Sequence, residues 1–428
     1  MPSIVNILPG PFFNFEFIRV LATSTAHGAD IAECLVAASK IRDNDAESWF
    51  NAWREAAESA EDAAYEALKA GDREAARWAY LRACSYRRAS EYMLHVDPSD
   101  SRPLGIMKQS VSNFRNACAL FDNPVKTLEI PYEGTKLPGY IYLPAPITPA
   151  RSAPKVPLLL ALNGLDSIQE EMYFYVASGA SSRGYAVMTF DGPGQGIVLR
   201  RPGQPPMRPD WEVVASAALD HAWELVHQHP EWNIDLDRVA ILGMALGAYY
   251  ALRSAVDPRI KACISVDGFY DLGLQVKLRS PSFLDQLSDG QADAVLDWAA
   301  TLNIQQQLEF GHFRMVLGTN STVDALRKLE KFSLEPPGEE PICARIKCPV
   351  LVTTARDSIY TLESNLVYQK LAEHRGSDEG LTLWDPVGPG EGSLQAKIAA
   401  PSRFQQKIFS WMDEVFGIKR PQIKLQSV

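Results

Sequence analysis

The sequence predicts an α/β protein, a mostly parallel, doubly wound sheet preceded by a helical front end. Three observations predict it. From about residue 126, short apolar runs recur at 156–162, 185–190, 238–242, 262–266 and 350–354, with helix-length stretches between them. Near-continuous apolar strands of this kind are buried on both faces, as parallel strands under crossover helices are. Residues 11 to about 125 instead place apolar residues at three- and four-residue steps with charge between them, the period of an amphipathic helix. Finally, Gly243-Met244-Ala245-Leu246-Gly247 lies between an apolar strand and a helical stretch, the glycine spacing of a tight strand-to-helix turn.

In chain order, Ala46 to Trp53 opens a helical pattern that continues through Ala57, Ala60, Ala64, Tyr65 and Leu68. Gly71-Asp72 reads as a turn, after which Ala76, Trp78, Leu81 and Ala83 carry the pattern on. One such pair of helices resembles a tetratricopeptide unit, but a single pair is no array. Residues 126–132 and 137–144 read as a hairpin, and 146–154 as a Pro/Ala-rich surface loop. The segment 272–340 is too long for a plain loop and is helical at 292–302 and 323–332, so it is expected to form a lid. Ligands of such sheets sit at the carboxyl ends of the strands, where that lid would lie. The expected organisation is a helical cap domain over 1–125 and an α/β core over 126–428.

Bulk properties narrow the partners. A chain of 428 residues with net charge −10 offers no basic surface for nucleic acid or an anionic membrane. Its six cysteines lack CxxC spacing, which argues against a metal site or a disulfide framework and for free thiols in a reducing compartment. Residues 1–17 lack the basic and apolar regions of a signal peptide, no stretch is long enough to span a bilayer, and the terminal Gln-Ser-Val is no obvious address. A cytoplasmic enzyme without metal or cofactor is expected, acting on a small molecule. The helical front end is of a kind that can dimerise, though nothing in the sequence requires it.

The 243–247 turn has the form of a nucleophile elbow, whose purpose is to push one side chain into a cavity. Here that side chain is the methyl group of Ala245, with no oxygen to attack anything. Either a serine has been replaced, or the chain does its chemistry without one. Gly164-Leu165, after the first core strand, could aim a backbone N–H at the site as an oxyanion donor, paired with the N–H of Leu246. Asp191-Gly192-Pro193-Gly194-Gln195-Gly196 lacks the Lys-Ser/Thr ending of a phosphate loop and reads as a tight structural loop. Asp357, after the 350–354 strand, has the place in chain order of a triad acid; its bland alternative is a surface acid paired with Arg356. A histidine base is expected in the loop after the strand at 382–384, yet residues 388–395 contain none. Of the seven histidines, His27 and His95 could reach the cavity from the helical region, His312 lies in the lid and reads as structural, and His221, His227, His229 and His374 read as solvated.

These motifs in this order resemble an α/β-hydrolase family, the group of 2,6-dihydroxypseudooxynicotine hydrolase and the fungal polyketide-shortening hydrolases. The opening Pro11-Phe12-Phe13-Asn14-Phe15, Gly28 to Glu33 and Glu47-Ser48-Trp49 are similar to the fungal branch. The resemblance covers nearly the whole chain. It implies a helical domain capping the site and cleavage of a C–C bond beside a carbonyl by a Ser-Asp-His triad. Ala245 matches the serine position, Gly392 falls where the histidine is expected, and only Asp357 remains.

Some fungal members of the branch accompany polyketide synthase–peptide synthetase systems of the cytochalasan and fusarin type, where the implied role is ring closure. The first expectation is therefore a condensation that forms a pyrrolone or pyrrolidone through a stabilised enolate, with no covalent intermediate. Asp166, Tyr173, Asp267, Glu391 and His27 are the candidates to move the proton, Asp267 also as a binding residue, and each has an ordinary structural reading beside it. The alternatives are a serine hydrolase of an ester or β-dicarbonyl, seen as a Ser-to-Ala variant at 245, and an inactive polyketide-binding protein.

Overall fold

The computed structural model describes residues 6–144, 154–279, 282–360 and 363–423. The expected loop at 146–154 and the C-terminal Gln-Ser-Val fall almost wholly outside them.

Among the described residues the front end has five α-helices: α1 (Pro11–Ala22), α2 (Ile31–Lys40), α3 (Ala46–Ala70), α4 (Arg73–Tyr92) and α5 (Arg102–Ala119). The residues that α3 buries, Trp49, Ala52, Trp53, Ala57, Ala60 and Ala64, lie on the stripe expected from their spacing. Asp45 caps its start by accepting from the Ser48 N–H, and Gly71, at φ +74°, ends it in the left-handed conformation that glycine adopts without strain. Asp72 then caps α4 through the Ala75 N–H, so the turn passes directly into the second helix. Small alanines let the two helices approach closely, and Phe13, Phe17, Trp53 and Tyr86 fill a core of their own.

The remaining described residues are built on one eight-stranded sheet. Its strands are β1 (Val125–Tyr132), β2 (Thr135–Tyr142), β3 (Val156–Leu162), β4 (Ala186–Phe190), β5 (Ile234–Met244), β6 (Ala262–Val266), β7 (Val350–Thr353) and β8 (Leu381–Trp384). Their order is β1-β2-β4-β3-β5-β6-β7-β8; the β1–β2 hairpin is antiparallel and joins β4 antiparallel, and β3 to β8 run parallel. β3, β4, β6 and β7 are buried at every residue, as strands covered on both faces must be. Helices α6 (Gln169–Tyr175), α7 (Gly196–Leu199), α8 (Glu212–Gln228) and α9 (Leu246–Ser254) follow the first strands. The long insertion after β6 carries α10 (Leu272–Arg279), α11 (Asp289–Ala300), α12 (Ile304–Leu317) and α13 (Thr322–Leu329). α14 (Ile342–Arg345), α15 (Ser364–Arg375) and α16 (Pro401–Val415) complete the chain. No helix among the described residues is long and apolar enough to cross a membrane.

Candidate active site

A cavity of about 230 Å³ lies at the carboxyl ends of the central strands, between the sheet, α1 and α12. Ala245 is on its wall, at the sharp bend from β5 into α9. Its backbone is at φ +54°, ψ −115°, a conformation costly for any residue with a Cβ. The flanking glycines are required sterically: a Cβ at Gly243 would overlap the Gly247 carbonyl, and one at Gly247 would sit 2.7 Å from the Asn163 carbonyl oxygen. The bend is thus a nucleophile elbow in full backbone geometry, presenting a methyl group.

Beside it runs the 163–167 loop. The Gly164 N–H is not aimed at the cavity as expected; it donates to Ser167 Oγ at 2.7 Å. Leu165 and Leu246 also line the cavity, and Leu246 is the first residue of α9, so its N–H has no partner within the helix. The two residues thus stand at the places expected for an oxyanion pair. The 191–196 loop braces this arrangement: Gln195 Nε2 donates to the carbonyls of Asn163 (3.1 Å) and Gly164 (2.8 Å). Asp191 accepts from Asn163 Nδ2 and from the N–H groups of Gln169 and Ile197.

Part of the cavity wall is charged. Asp166 accepts from Arg19 (3.0 Å) and from the Tyr92 hydroxyl (2.8 Å), and the Arg19 and Arg88 guanidiniums hold its carboxyl well below the usual carboxylate range despite burial. Glu171 takes a two-pronged contact from Arg19 and a further bond from Arg88. Glu16 contacts Arg19 at 3.3 Å, yet burial pushes its pKa up to about 7. Sequence reasoning missed Glu16, Arg19, Tyr92 and Glu171. The available signal was a charged pair three residues apart inside the apolar run of α1, where an exposed face would have been polar throughout.

The cavity also holds His312 of α12, which the sequence placed as structural. Its Nε2–H donates to the Leu165 carbonyl at 3.0 Å, and burial lowers its pKa to about 3, so the ring is neutral. His95 lies behind it, stacked at 4.8 Å between ring centres and bonded to Glu91.

Of the other sequence candidates, Asp267 lines the cavity beside Ala245, and four do not. His27 is exposed and stacks on Trp78 at 4.3 Å. Tyr173 packs into an aromatic cluster with Phe114, Phe121 and Tyr142. Glu391 is exposed and pairs with Arg403. Asp357 accepts from the Ser393 hydroxyl and does not reach the cavity, while Arg356 pairs instead with Asp385. Gly392 is not the residue of its loop that faces the site. Gln395 and Ala396 are, because left-handed backbone at Ala396 and Lys397 turns the chain inward there. Neither is a base. Among the described residues no cluster of three His, Cys, Asp or Glu side chains could hold a metal ion.

Comparison with known proteins agrees with this architecture. The FrsA-like esterase model matches residues 41–276. The chain is similar to 20-hydroxy-prefusarin hydrolase FUS2 of Gibberella moniliformis, at 45% identity over 97% of this chain and 99% of that one. It is similar to hydrolase LUC6 of a Fusarium species, at 43% over 98% and 100%, and to hydrolyase poxO of Penicillium oxalicum, at 42% over 96% and 98%. Among solved structures, 2,6-dihydroxy-pseudo-oxynicotine hydrolase shares the fold with TM-score 0.70 and 21% identity over 92% of this chain and 95% of that one. The chain is a hydrolase-fold enzyme and belongs to the FrsA-like esterase family of α/β hydrolases, together with these fungal proteins.

Proposed function

We propose that this enzyme closes a ring in a fungal polyketide–amino acid product by carbonyl condensation. The observation that carries the reading is the pairing of an intact elbow with an inert residue: Ala245 faces the cavity, and Gln395 and Ala396 occupy the wall where a triad imidazole would come from. A site that keeps its oxyanion donors but has neither a serine nucleophile nor a triad imidazole can still stabilise an enolate. An active methylene loses a proton, its carbonyl oxygen becomes the enolate oxygen held by the Leu165 and Leu246 N–H groups, and the carbon attacks a second carbonyl. Loss of water then completes the ring. Apolar walls from Phe15, Met172, Phe269, Leu308 and Phe313 suit a polyketide chain. The helices of 1–125 act as the cap and those of 272–340 as the lid in this reading. One relative is named a hydrolyase, a word for enzymes that eliminate water, and another a hydrolase of a prefusarin.

The strained elbow favours one second reading, a serine hydrolase whose serine has been replaced, since such a bend serves a nucleophile. Ala245→Ser separates the two. Condensation predicts that the variant reacts with a fluorophosphonate no faster than a surface serine does and leaves an activated ester intact, because no triad histidine stands where it could activate residue 245. Rapid labelling with ester turnover would establish the hydrolase instead.

A further inference from the structure

We propose that Asp267 is the proton-transfer residue of this site, its unpartnered carboxylate oxygen taking the proton from the carbon whose enolate oxygen the Leu165 and Leu246 N–H groups hold. The proposal rests on the condensation reading above.

Position comes first. Asp267 directly follows β6, the strand beside the elbow strand. The register pairs Met244 with Val266, and the Ala245 N–H donates to the Val266 carbonyl at 2.9 Å. Residues 245 and 267 therefore leave adjacent strand ends side by side, and both line the cavity. Asp267 is itself held at φ +55°, a conformation that a non-glycine residue keeps only when its surroundings enforce it.

The bonding is lopsided. Oδ1 accepts from the Thr353 hydroxyl at 2.5 Å and from Lys397 Nζ at 2.7 Å. Lys397 Nζ is anchored in turn on the Thr354 carbonyl at 2.6 Å, and the Asp267 and Lys397 side chains are both fully buried. Oδ2 has no hydrogen-bond partner among the described residues. A buried carboxylate oxygen left without a donor is expensive, and such exceptions in a folded protein call for a use. The lysine supplies a counter-charge from behind, so one oxygen is spoken for, while the other lies closed off from solvent at the cavity wall with no bond to the protein.

Asp166, Glu171 and Glu16 fit the task less well. Asp166 and Glu171 are occupied by Arg19 and by Tyr92 or Arg88. Glu16 holds Arg19 from α1, across the cavity from the elbow. His312 spends Nε2 on the Leu165 carbonyl, and with its pKa lowered to about 3 by burial its Nδ1 is too weak a base for an active methylene.

The proton balance closes. The C–H bond breaks, its proton goes to Oδ2 and its electron pair moves into the carbonyl to give the enolate. After the new C–C bond forms, the protonated Asp267 returns that proton to the resulting alkoxide, and the carboxylate is regenerated. Water leaves in the later elimination.

N-Hexylacetoacetamide, a β-ketoamide with an active methylene, is the probe. In D2O the wild-type enzyme should accelerate deuterium uptake at its C2 over the buffer rate, read by proton NMR. Asp267→Asn, which keeps an oxygen for Lys397 and Thr353, should lower the enzyme-dependent rate by about 100-fold or more. Exchange in D267N within three-fold of wild type would overturn the assignment while leaving the condensation reading standing. No acceleration by the wild-type enzyme would overturn both. Should D267N not fold, the wild-type enzyme treated with the 2-bromo analogue decides. Its C2 lies where the acidic C–H would, so Oδ2 should displace bromide and form an ester found at Asp267 by peptide mass mapping. An ester at another residue, or none, would overturn the proposal.

Discussion

The side-chain amide of Gln195 donates to the carbonyl of Gly164 at 2.8 Å and, with the same nitrogen, to that of Asn163 at 3.1 Å. Its oxygen meanwhile accepts from the Gly192 N–H at 3.0 Å. One buried residue thus ties the 191–196 loop to the backbone that presents Leu165. Gln195→Ala would strand those buried groups, at about 1–3 kcal/mol by the usual cost of an unmade buried hydrogen bond. Chemical denaturation should show that loss, and enzyme-dependent exchange of the β-ketoamide should fall with it. Unchanged exchange in a folded Q195A protein would mean that the loop holds its shape without this clamp.

Two glycine substitutions should diverge in sign. A Cβ at Gly243 would overlap the Gly247 carbonyl, inside a bend whose backbone is fixed on both sides. Gly243→Ala should therefore cost more than about 4 kcal/mol, at the severe end for a single substitution, and be seen as lost soluble protein or a collapsed melting transition. Gly105, exposed within α5, has nothing within 4 Å of a built Cβ. Gly105→Ala should stabilise by about 0.5–1 kcal/mol through helix propensity and a less flexible unfolded chain. Equal effects at the two sites would contradict the elbow geometry.

Glu16 should make stability depend on pH. Burial raises its carboxyl pKa from the ordinary 4.5 to about 7, against the pull of Arg19 and Arg88 and with the push of Asp166 and Glu171. Between those two values the folded state binds more protons at this site than the unfolded one, so this contribution to stability is fully present below pH 4.5 and is lost as pH rises through 7. Glu16→Gln keeps an acceptor for Arg19 and removes the titration. The variant should gain on wild type as pH rises from 5 to 8, by up to about 3 kcal/mol at 1.36 kcal/mol per pKa unit. Parallel stability curves for the two proteins across that range would refute the assignment.

Much of the fold was legible because its signals are local. The glycines around Ala245, the alternation of apolar runs with helical stretches, and the turn at Gly71-Asp72 each specify their own geometry within a few residues. The site was legible only where it is built from those signals: Ala245, Leu165, Leu246, Asp166 and Asp267 all follow strand ends and reach one cavity. The rest depends on tertiary contact. Arg19 meets Glu171 across 152 positions and Lys397 meets Asp267 across 130, separations over which no periodicity carries information. Gly392 was misplaced for a related reason. Which residue of the loop after β8 faces inward depends on left-handed backbone at Ala396 and Lys397, and neither residue type signals that conformation.

His312 should control the acid limb of stability. Burial and the neighbouring His95 lower its pKa from the ordinary 6.5 to about 3, so the folded protein keeps the ring neutral where the unfolded chain would protonate it. The sign is opposite to that of Glu16. Stability from this group is present above pH 6.5 and is lost as pH falls from there toward 3. The cost falls on the contact between α12 and the helical layer, because His312 stacks on His95 and a Cβ at Gly311 would lie within 3 Å of the His95 carbonyl oxygen. His312→Gln keeps a donor for the Leu165 carbonyl and cannot become a cation. Wild type should lose stability between pH 6.5 and 4 more steeply than H312Q, as read by urea denaturation at each pH. Hydrogen exchange should place the extra loss first in α12. An acid limb unchanged by the substitution would show that His312 is not what the folded state must keep neutral, and His95 would be the next residue to replace.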